Sequence, residues 1–435
     1  MDFHKPSTIR ITCARGLAPY LEQDVARLGL HVNAADDTGV EVEGSLHDCM
    51  GYNLHLRIGQ YVLYLLDRFS ASTADEVYGH VVALPWEEMI SPDEYVSVMC
   101  TVETQTINDS RFASRRVKDA IVDRISSRLD RRPNSGPDRD NVVIHLHWQA
   151  SDCQLYINTT GRKLADRNYR KIPLKAPMQE ILAAAVIMET GYDGSQPLVN
   201  PMCGSGTLAI EAALIATGRP PGLLRSNFAF AHLLGFDAQA WQAIRAEARK
   251  FRNPQPPAPI IASDIDDRAV EAARQNAKTA GVDQLIRFEV CDFAATSMPA
   301  DPGIVILNPE YGERMGEAPA LEAVYDRIGD FFKQKCPGCT GYVFSGNPNL
   351  AKMIGDNMIS QRFHKGFFAP SAKHLYARVD SIEALALLNL AAAIRGEPDV
   401  VPDMWPGQGY FSGRFDGIGP GRTTDNAAIY SRLRS

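Results

Sequence analysis

The residues best suited to chemistry lie in the second half of the chain. Asn308-Pro309-Glu310-Tyr311 sets a side-chain amide, a prolyl carbonyl, a carboxylate and an aromatic ring in one run. The Asn308 oxygen and the Pro309 carbonyl can accept both N–H groups of an amine conjugated to a ring. Such an amine is a poor nucleophile, and two acceptors favour its pyramidal form, a gain that grows toward the transition state. Tyr311 adds an aromatic face on which a planar group can stack. Upstream, Asp264 in SDID can accept the two hydroxyls of a ribose, and Asp292 in CDF can accept from an adenine amine beside Phe293. Before both comes VNPMCGSGTLAIEAALIA, Val199–Ala216. There Asn200 and Pro201 close a strand, Gly204 and Gly206 make a tight turn, and Thr207 opens a helix with apolar residues at Leu208, Ile210, Ala213 and Leu214. Backbone N–H groups in such a turn, at a helix N-terminus, favour a carboxylate or a phosphate.

The turn alone leaves its ligand open. GSGTLA fits a dinucleotide fingerprint if Ala209 takes the place of the third glycine. A Walker loop is excluded, because no Gly-Lys-Ser/Thr follows. Asp264 lies far beyond the ~20-residue offset of the dinucleotide fingerprint, and an Asn-Pro-x-aromatic run is foreign to it.

The elements that must position these groups alternate regularly. Strands are predicted at Pro197–Asn200, Pro259–Ser263, Ile286–Val290, Gly303–Leu307, Gly341–Ser345, Phe363–Phe368 and Leu375–Val379. Helices are predicted at Thr207–Thr217, Ala238–Phe251, Asp267–Ala280, Ala318–Lys335 and Leu350–Asn357, after one at Ala176–Thr190. This pattern implies an α/β fold with a parallel sheet whose carboxyl ends carry the site. Before it, Thr8–Cys13 and Val40–Val42 read as strands, Ala18–Leu28 and Leu46–Leu65 as helices, a small α+β unit. Residues 94–102 read as a strand, Ser110–Leu129 as a helix, and VVIHLHWQ with CQLYINTT as a hairpin. His145 and His147 alternate with apolar neighbours and read as strand-face residues rather than ligands. The insertion Gly218–Ala258 carries Arg225, Phe228 and Phe230, suited to a substrate lid or to packing. A helix at Ala384–Ile394 precedes a glycine-rich tail that reads as a surface arm or disordered extension.

A chain of 435 residues with 45% hydrophobic and 22% charged residues has the composition of a globular protein of two or three domains. The N-terminus has no apolar signal-peptide core, and no run approaches the ~20 apolar residues of a membrane span. Eight scattered cysteines suit a reduced cytoplasm, and Cys336-Pro-Gly-Cys339 reads as a turn, since no second pair accompanies it to hold a metal. A net charge of −7 requires any nucleic-acid contact to come from local patches. Two such patches exist. Arg111, Arg115 and Lys118 share one helix face, with Arg124, Arg128, Arg131, Arg132 and Arg139 beyond. Then Arg162, Lys163, Arg167, Arg170, Lys171 and Lys175 surround Tyr169. A solvated charged face is the alternative for each, and their adjacency favours a grip on a nucleic-acid backbone.

These features together resemble a class I S-adenosylmethionine-dependent methyltransferase of the amino-group type. More narrowly, the chain is similar to the THUMP-containing guanine-N2 methyltransferases of bacterial large-subunit rRNA. The matching stretches are NLHLR (53–57), RVKDAIVDR (116–124), NTTGRKLADRNYRK (158–171), APMQEILAAAVI (176–187), NPMCGSGTLAIEAA (200–213), PGLLRSNFAF (221–230), SDIDDRAVEAARQNAKTAGV (263–282) and NPEYGERMG (308–316). The resemblance implies a Rossmann-like methyltransferase domain at 166–383. A ferredoxin-like unit at 1–65 and a THUMP RNA-binding module at 66–165 would precede it, with an extension at 384–435. It also implies a cofactor site of Asn200, Pro201, Gly204, Gly206, Thr207, Asp264, Asp292 and Phe293. Asn308, Pro309 and Tyr311 would hold the reacting base, and Glu310, Arg111, Arg115, Lys118, Arg167 and Arg170 would contact the RNA. The implied partner is 23S rRNA, or tRNA, since related enzymes act on both; no metal and no membrane is implied. Two positions depart from the family pattern: Asn200 stands where Asp is usual, and Glu310 where a second proline is. An RNA-binding protein with altered or lost chemistry, or an enzyme acting on DNA or a protein amide, are the competing readings.

Overall fold

The computed structural model describes residues 1–104, 109–172, 174, 177–250, 258–310, 318–345, 347, 350–351 and 354, and the backbone of 362–365 and 375–378. The chain divides into two compact units. The first contains residues 1–194, 210–256 and 272–285, the second 195–209, 257–271 and 286–435.

In the first unit, β1 (Ser7–Thr12), α1 (Ala18–Arg27), β2 (Ala34–Asp36), β3 (Gly39–Gly44), α2 (Leu46–His55) and β4 (Tyr61–Ser70) come first. They are followed by α3 (Ala74–Ala83), β5 (Tyr95–Glu103), α4 (Ser110–Leu129), β6 (Asn134–Ser135), β7 (Val142–Gln149), β8 (Asp152–Asn158) and α5 (Glu180–Glu189). All eight strands form one sheet in the order β2-β3-β1-β4-β8-β7-β5-β6. The residues expected to form a ferredoxin-like unit and a THUMP module therefore share a sheet, joined where β4 pairs antiparallel with β8.

The helix expected over Leu46–Leu65 is a helix followed by a strand. Ser45 caps α2, accepting from the Asp48 N–H at 3.2 Å while the Asp48 carboxylate accepts from the Ser45 N–H at 2.8 Å. The chain turns at Leu56, and β4 enters the centre of the sheet between β1 and β8. Tyr61, Val62, Leu63 and Tyr64 are all buried, so this strand shows a continuous apolar run rather than alternation.

The described part of the insertion, residues 218–250, belongs to the first unit. Phe228 and Phe230 are buried against Trp241, with ring centroids 5.6 and 5.0 Å from it. Arg225, 5% exposed, donates to the carbonyls of Thr160, Arg162 and Lys163 at 3.2, 3.0 and 2.7 Å. A Cβ on Gly222 would lie 2.5 Å from Leu54 Cα, so only glycine permits this approach. These residues are packing, not a lid.

The second unit contains β9 (Leu198–Pro201) and the first turn of α6 (Thr207–Ala216). After α7 (Ala238–Lys250), which belongs to the first unit, come β10 (Ile260–Asp264), α8 (Asp267–Ala280, of which 272–280 belong to the first unit), β11 (Ile286–Val290), β12 (Ile304–Leu307), α9 (Ala318–Lys335) and β13 (Thr340–Val343). The five strands are parallel, in the order β11-β10-β9-β12-β13. Tyr325, Ile328, Phe331 and Phe332 of α9 share a core with Val199, Ile261, Val305, Leu307 and Val343 of the sheet. Cys336 and Cys339 belong to that core as free thiols, and the Cys339 N–H donates to the Cys336 carbonyl at 3.1 Å, closing a turn. β14 (Arg362–Lys365) and β15 (Leu375–Arg378) pair antiparallel. The helices expected at 384–394 and over most of 350–357 lie outside the described residues. No helix among the described residues is long and apolar enough to cross a membrane.

Candidate cofactor and base site

The carboxyl ends of β9, β10, β11 and β12 carry the groups singled out in the sequence. Asn200 stands near the end of β9 and is fully buried. The β9–β12 ladder stops at Val199 and Val305, and the Asn200 amide takes it one step further, Nδ2 donating to the Ile306 carbonyl at 2.9 Å. Its Oδ1 is buried without a hydrogen-bond partner among the described residues. An orphaned buried acceptor is costly, so a donor is expected there when the site is filled.

After Pro201 the chain enters a turn of unusual backbone. Met202, Gly204 and Gly206 have φ of 55°, 54° and 81°, the first being a left-handed conformation that non-glycine residues rarely adopt. A Cβ built on Gly204 meets nothing within 4 Å. Asp264, at the end of β10, fixes this turn: its Oδ2 accepts from the Gly204 N–H at 2.9 Å and its Oδ1 from the Asp266 N–H at 3.1 Å. The Cys203 N–H donates to the Ser263 carbonyl at 2.9 Å. Asp264 thus joins two strand ends and keeps further lone pairs for a ligand. The next residue, Ile265, is 72% exposed, an apolar side chain beside the turn that the sequence reading passed over.

Asp292 follows β11. Its Oδ1 accepts from the Ala294 N–H at 3.0 Å and from Arg327 Nη2 of α9 at 2.7 Å. Partial burial alone would raise this carboxyl; the Arg327 and Ala294 hydrogen bonds and the Arg327 charge outweigh it and hold the group below the ordinary range. Phe293, expected beside an adenine, is 5% exposed and belongs to the core. The Arg327 guanidinium lies 4.8 Å from its ring centroid, and Phe331 packs edge-on at 5.9 Å. Its ring is therefore a platform for Arg327 and offers no open face, so a contact of Phe293 with an adenine would come from its backbone. Arg327 carries no sequence signal, because its partner lies 35 residues away in the chain.

Asn308 follows β12, and its Oδ1 is again buried without a partner among the described residues. Pro309 is buried and Glu310 exposed; Tyr311 lies outside the described residues. Two such amide oxygens, of Asn200 and Asn308, thus lie at the carboxyl ends of adjacent parallel strands.

The basic residues fare differently. Arg167, expected on RNA, is 1% exposed and ion-paired with Glu211, which also accepts from the Tyr169 hydroxyl at 2.9 Å. Arg167 Nη2 donates to the Arg57 carbonyl at 2.6 Å. Arg170 pairs with Glu180 at 3.2 Å and donates to the Met178 carbonyl. Desolvation explains this correction: a charge taken from water needs a partner, and these guanidiniums hold the interior together. On α4, Arg111 and Arg115 are exposed and Lys118 partly so. Arg111 pairs with Asp109, and Lys118 with Asp119, each at 3.0 Å. Arg116, Arg124, Arg128, Arg131 and Arg132 meet Asp75, Glu87, Glu87, Asp93 and Asp123. The positive run is thus substantially neutralised by neighbouring carboxylates.

A parallel sheet in this order, a glycine turn after its central strand and polar groups at successive strand ends define a class I, S-adenosylmethionine-dependent methyltransferase. An RMKL-like methyltransferase domain model matches residues 167–373, a THUMP domain 71–158 and an RlmL ferredoxin-like domain 8–63. A periplasmic pectate lyase model also matches 346–414, mostly outside the described residues. The chain is 38% identical over 355 residues to the ribosomal RNA large subunit methyltransferase K/L of Syntrophotalea carbinolica, 79% of this chain and 50% of that protein. It is 34% identical to a candidate RNA methyltransferase of Synechocystis sp., slr0064, covering 79% of this chain and 90% of that one. Among solved structures, a predicted N6-adenine-specific DNA methylase from Listeria monocytogenes matches with a TM-score of 0.75 and 31% identity, covering 86% and 96% of the two chains. SMU.472, a methyltransferase candidate solved with S-adenosylhomocysteine, gives 0.74 and 25%, covering 87% and 98%. The chain belongs to the family of RMKL-like methyltransferases that carry THUMP and RlmL ferredoxin-like domains. It spans about half the length of the curated K/L relatives.

Proposed function

We propose that this chain methylates the exocyclic N2 amine of a guanine in RNA, 23S rRNA being the first substrate to examine and tRNA the second. The observation that carries this reading is the Oδ1 of Asn308, buried and unpartnered among the described residues, next to Pro309, which can supply the second acceptor. Both acceptors gain strength as the amine pyramidalises, so they act on rate more than on affinity. Tyr311 would stack on the base. The RNA part of the reading is supported by the THUMP match and by the names of the relatives.

The residues fit the cofactor. Asn200 Oδ1 suits an ammonium donor, Asp264 the ribose hydroxyls, Asp292 the adenine amine, and Pro201 with the Gly204–Gly206–Thr207 turn the chain between them. When bound, S-adenosylmethionine supplies an electrophilic methyl on its sulfonium. The protein has to orient the amine in line and exclude water. Glu310, exposed in the loop, can accept from guanine N1–H, which adenine lacks, so it would tune base choice.

A second reading, methylation of adenine N6 in DNA, is favoured by the description of the Listeria structure, and an Asn-Pro-x-Tyr loop can hold that amine too. Nucleoside mass spectrometry of rRNA, tRNA and DNA from cells with and without this chain separates the readings. Loss of N2-methylguanosine at one RNA position supports the first; loss of N6-methyladenine in DNA replaces it. No change in any pool, with RNA binding retained, indicates a binding protein with lost chemistry.

A further inference from the structure

We infer that Arg327 is a specificity-positioning residue: it pins the Asp292 carboxylate so that the cofactor pocket accepts a 6-amino purine and rejects a 6-oxo purine. The inference rests on the assignment of Asp292 to the adenine amine. Three contacts place the guanidinium: its seat on α9, the Phe293 ring 4.8 Å below it, and Asp292 Oδ1 at 2.7 Å. Phe293 is itself fixed edge-on by Phe331. Among the described residues, both hydrogen bonds to Asp292 fall on Oδ1, one from Arg327 and one from the Ala294 N–H. That leaves Oδ2 as the oxygen presented to a ligand.

A carboxylate held in one orientation is a pure acceptor. It accepts an amine hydrogen well, and it opposes a carbonyl, since two acceptors then face each other without a proton between them. A carboxylate free to turn loses part of this selection, because it can swing away and let water bridge the mismatch. Asp292 is N-cap of the short turn Phe293–Ala295, which fixes its backbone but leaves the side chain a single N–H to hold it without Arg327. Arg327 is half-exposed, so replacing it is not expected to unfold α9.

The test compares binding of S-adenosylhomocysteine and S-inosylhomocysteine by calorimetry to the wild-type chain, Arg327→Ala, Arg327→Met and Asp292→Ala. Methionine keeps a long side chain able to cover Phe293 while removing the hydrogen bond and charge, so it separates pinning from packing. Wild type is expected to prefer the adenosyl compound by about 10- to 100-fold, the range of one charged hydrogen bond. Both Arg327 variants should lower that preference to within about threefold, mainly by weakening the adenosyl compound. An unchanged preference in both, with Asp292→Ala abolishing it, overturns the inference and leaves the Asp292 assignment standing. A preference that survives Asp292→Ala, or is absent in wild type, overturns the assignment and the inference with it.

Discussion

At the scale of single residues, the site is organised by acceptors. Asn200 shows why an amide serves where the family usually has a carboxylate: its NH₂ satisfies the Ile306 carbonyl at the end of a ladder, inside a fully buried environment. Asn200→Asp would set a carboxylate oxygen against that carbonyl and strand it, at a cost of about 1–3 kcal/mol to the ligand-free protein. A cofactor ammonium would offset part of this, so S-adenosylmethionine should raise the Tm of the variant by more degrees than it raises wild type. Differential scanning fluorimetry with and without the cofactor checks both signs, and an equal shift in the two proteins would remove the ammonium from Asn200. Asp264 holds the turn and keeps lone pairs for a ligand, the ribose in the proposed reading. Asp264→Ala should therefore weaken cofactor binding by about 10- to 100-fold, for loss of a charged acceptor worth roughly 1.5–3 kcal/mol. Wild-type affinity by calorimetry would place the ribose elsewhere.

At the scale of elements, the part of α6 that belongs to the first unit is held there by a buried ion pair. Glu211 lies one turn beyond Thr207 on α6, and Arg167 and Tyr169 both meet its carboxylate. Arg167→Met leaves that carboxylate uncompensated and should cost about 3–5 kcal/mol; adding Glu211→Leu should recover much of it. Denaturant midpoints for the two single variants and the double give the coupling, and additive losses would show the pair to be independent. The same pair shows where sequence reading stops. The β9–turn–α6 unit, α8 at Asp267–Ala280 and β11 at Ile286–Val290 were legible because local punctuation and periodicity decide them. The basic run around Tyr169 was not, since its partner carboxylate lies 44 residues away and a sequence does not show which charges are desolvated. Phe293 and Arg327 were obscured for the same reason. The Leu46–Leu65 stretch failed differently: β4 is buried on both faces and loses the alternation that marks a strand.

At the scale of the whole molecule, net charge and local patches oppose each other. The chain carries −7, so at low ionic strength, where the Debye length is about 30 Å, its overall field repels RNA. Near 0.15 M salt that field is screened beyond about 8 Å, and only local cations matter. On α4 those cations are Arg111, Arg115 and Lys118, two of them engaged by Asp109 and Asp119. Exposed pairs of this kind are worth little, so a phosphate can displace the carboxylate. If α4 grips RNA, Arg111→Glu, Arg115→Glu and Lys118→Glu together should weaken binding and flatten the slope of log K against log salt by roughly 2–3, since each lost phosphate contact contributes about 0.7–0.9. The opposite change is the more informative arm. Asp109→Asn with Asp119→Asn frees the same cations and should tighten binding, with cofactor affinity unchanged in either set. Filter binding of an rRNA fragment from 50 to 300 mM salt measures both. A slope that neither set alters would assign these charges to a solvated helix face and move the RNA contact to another surface of the chain.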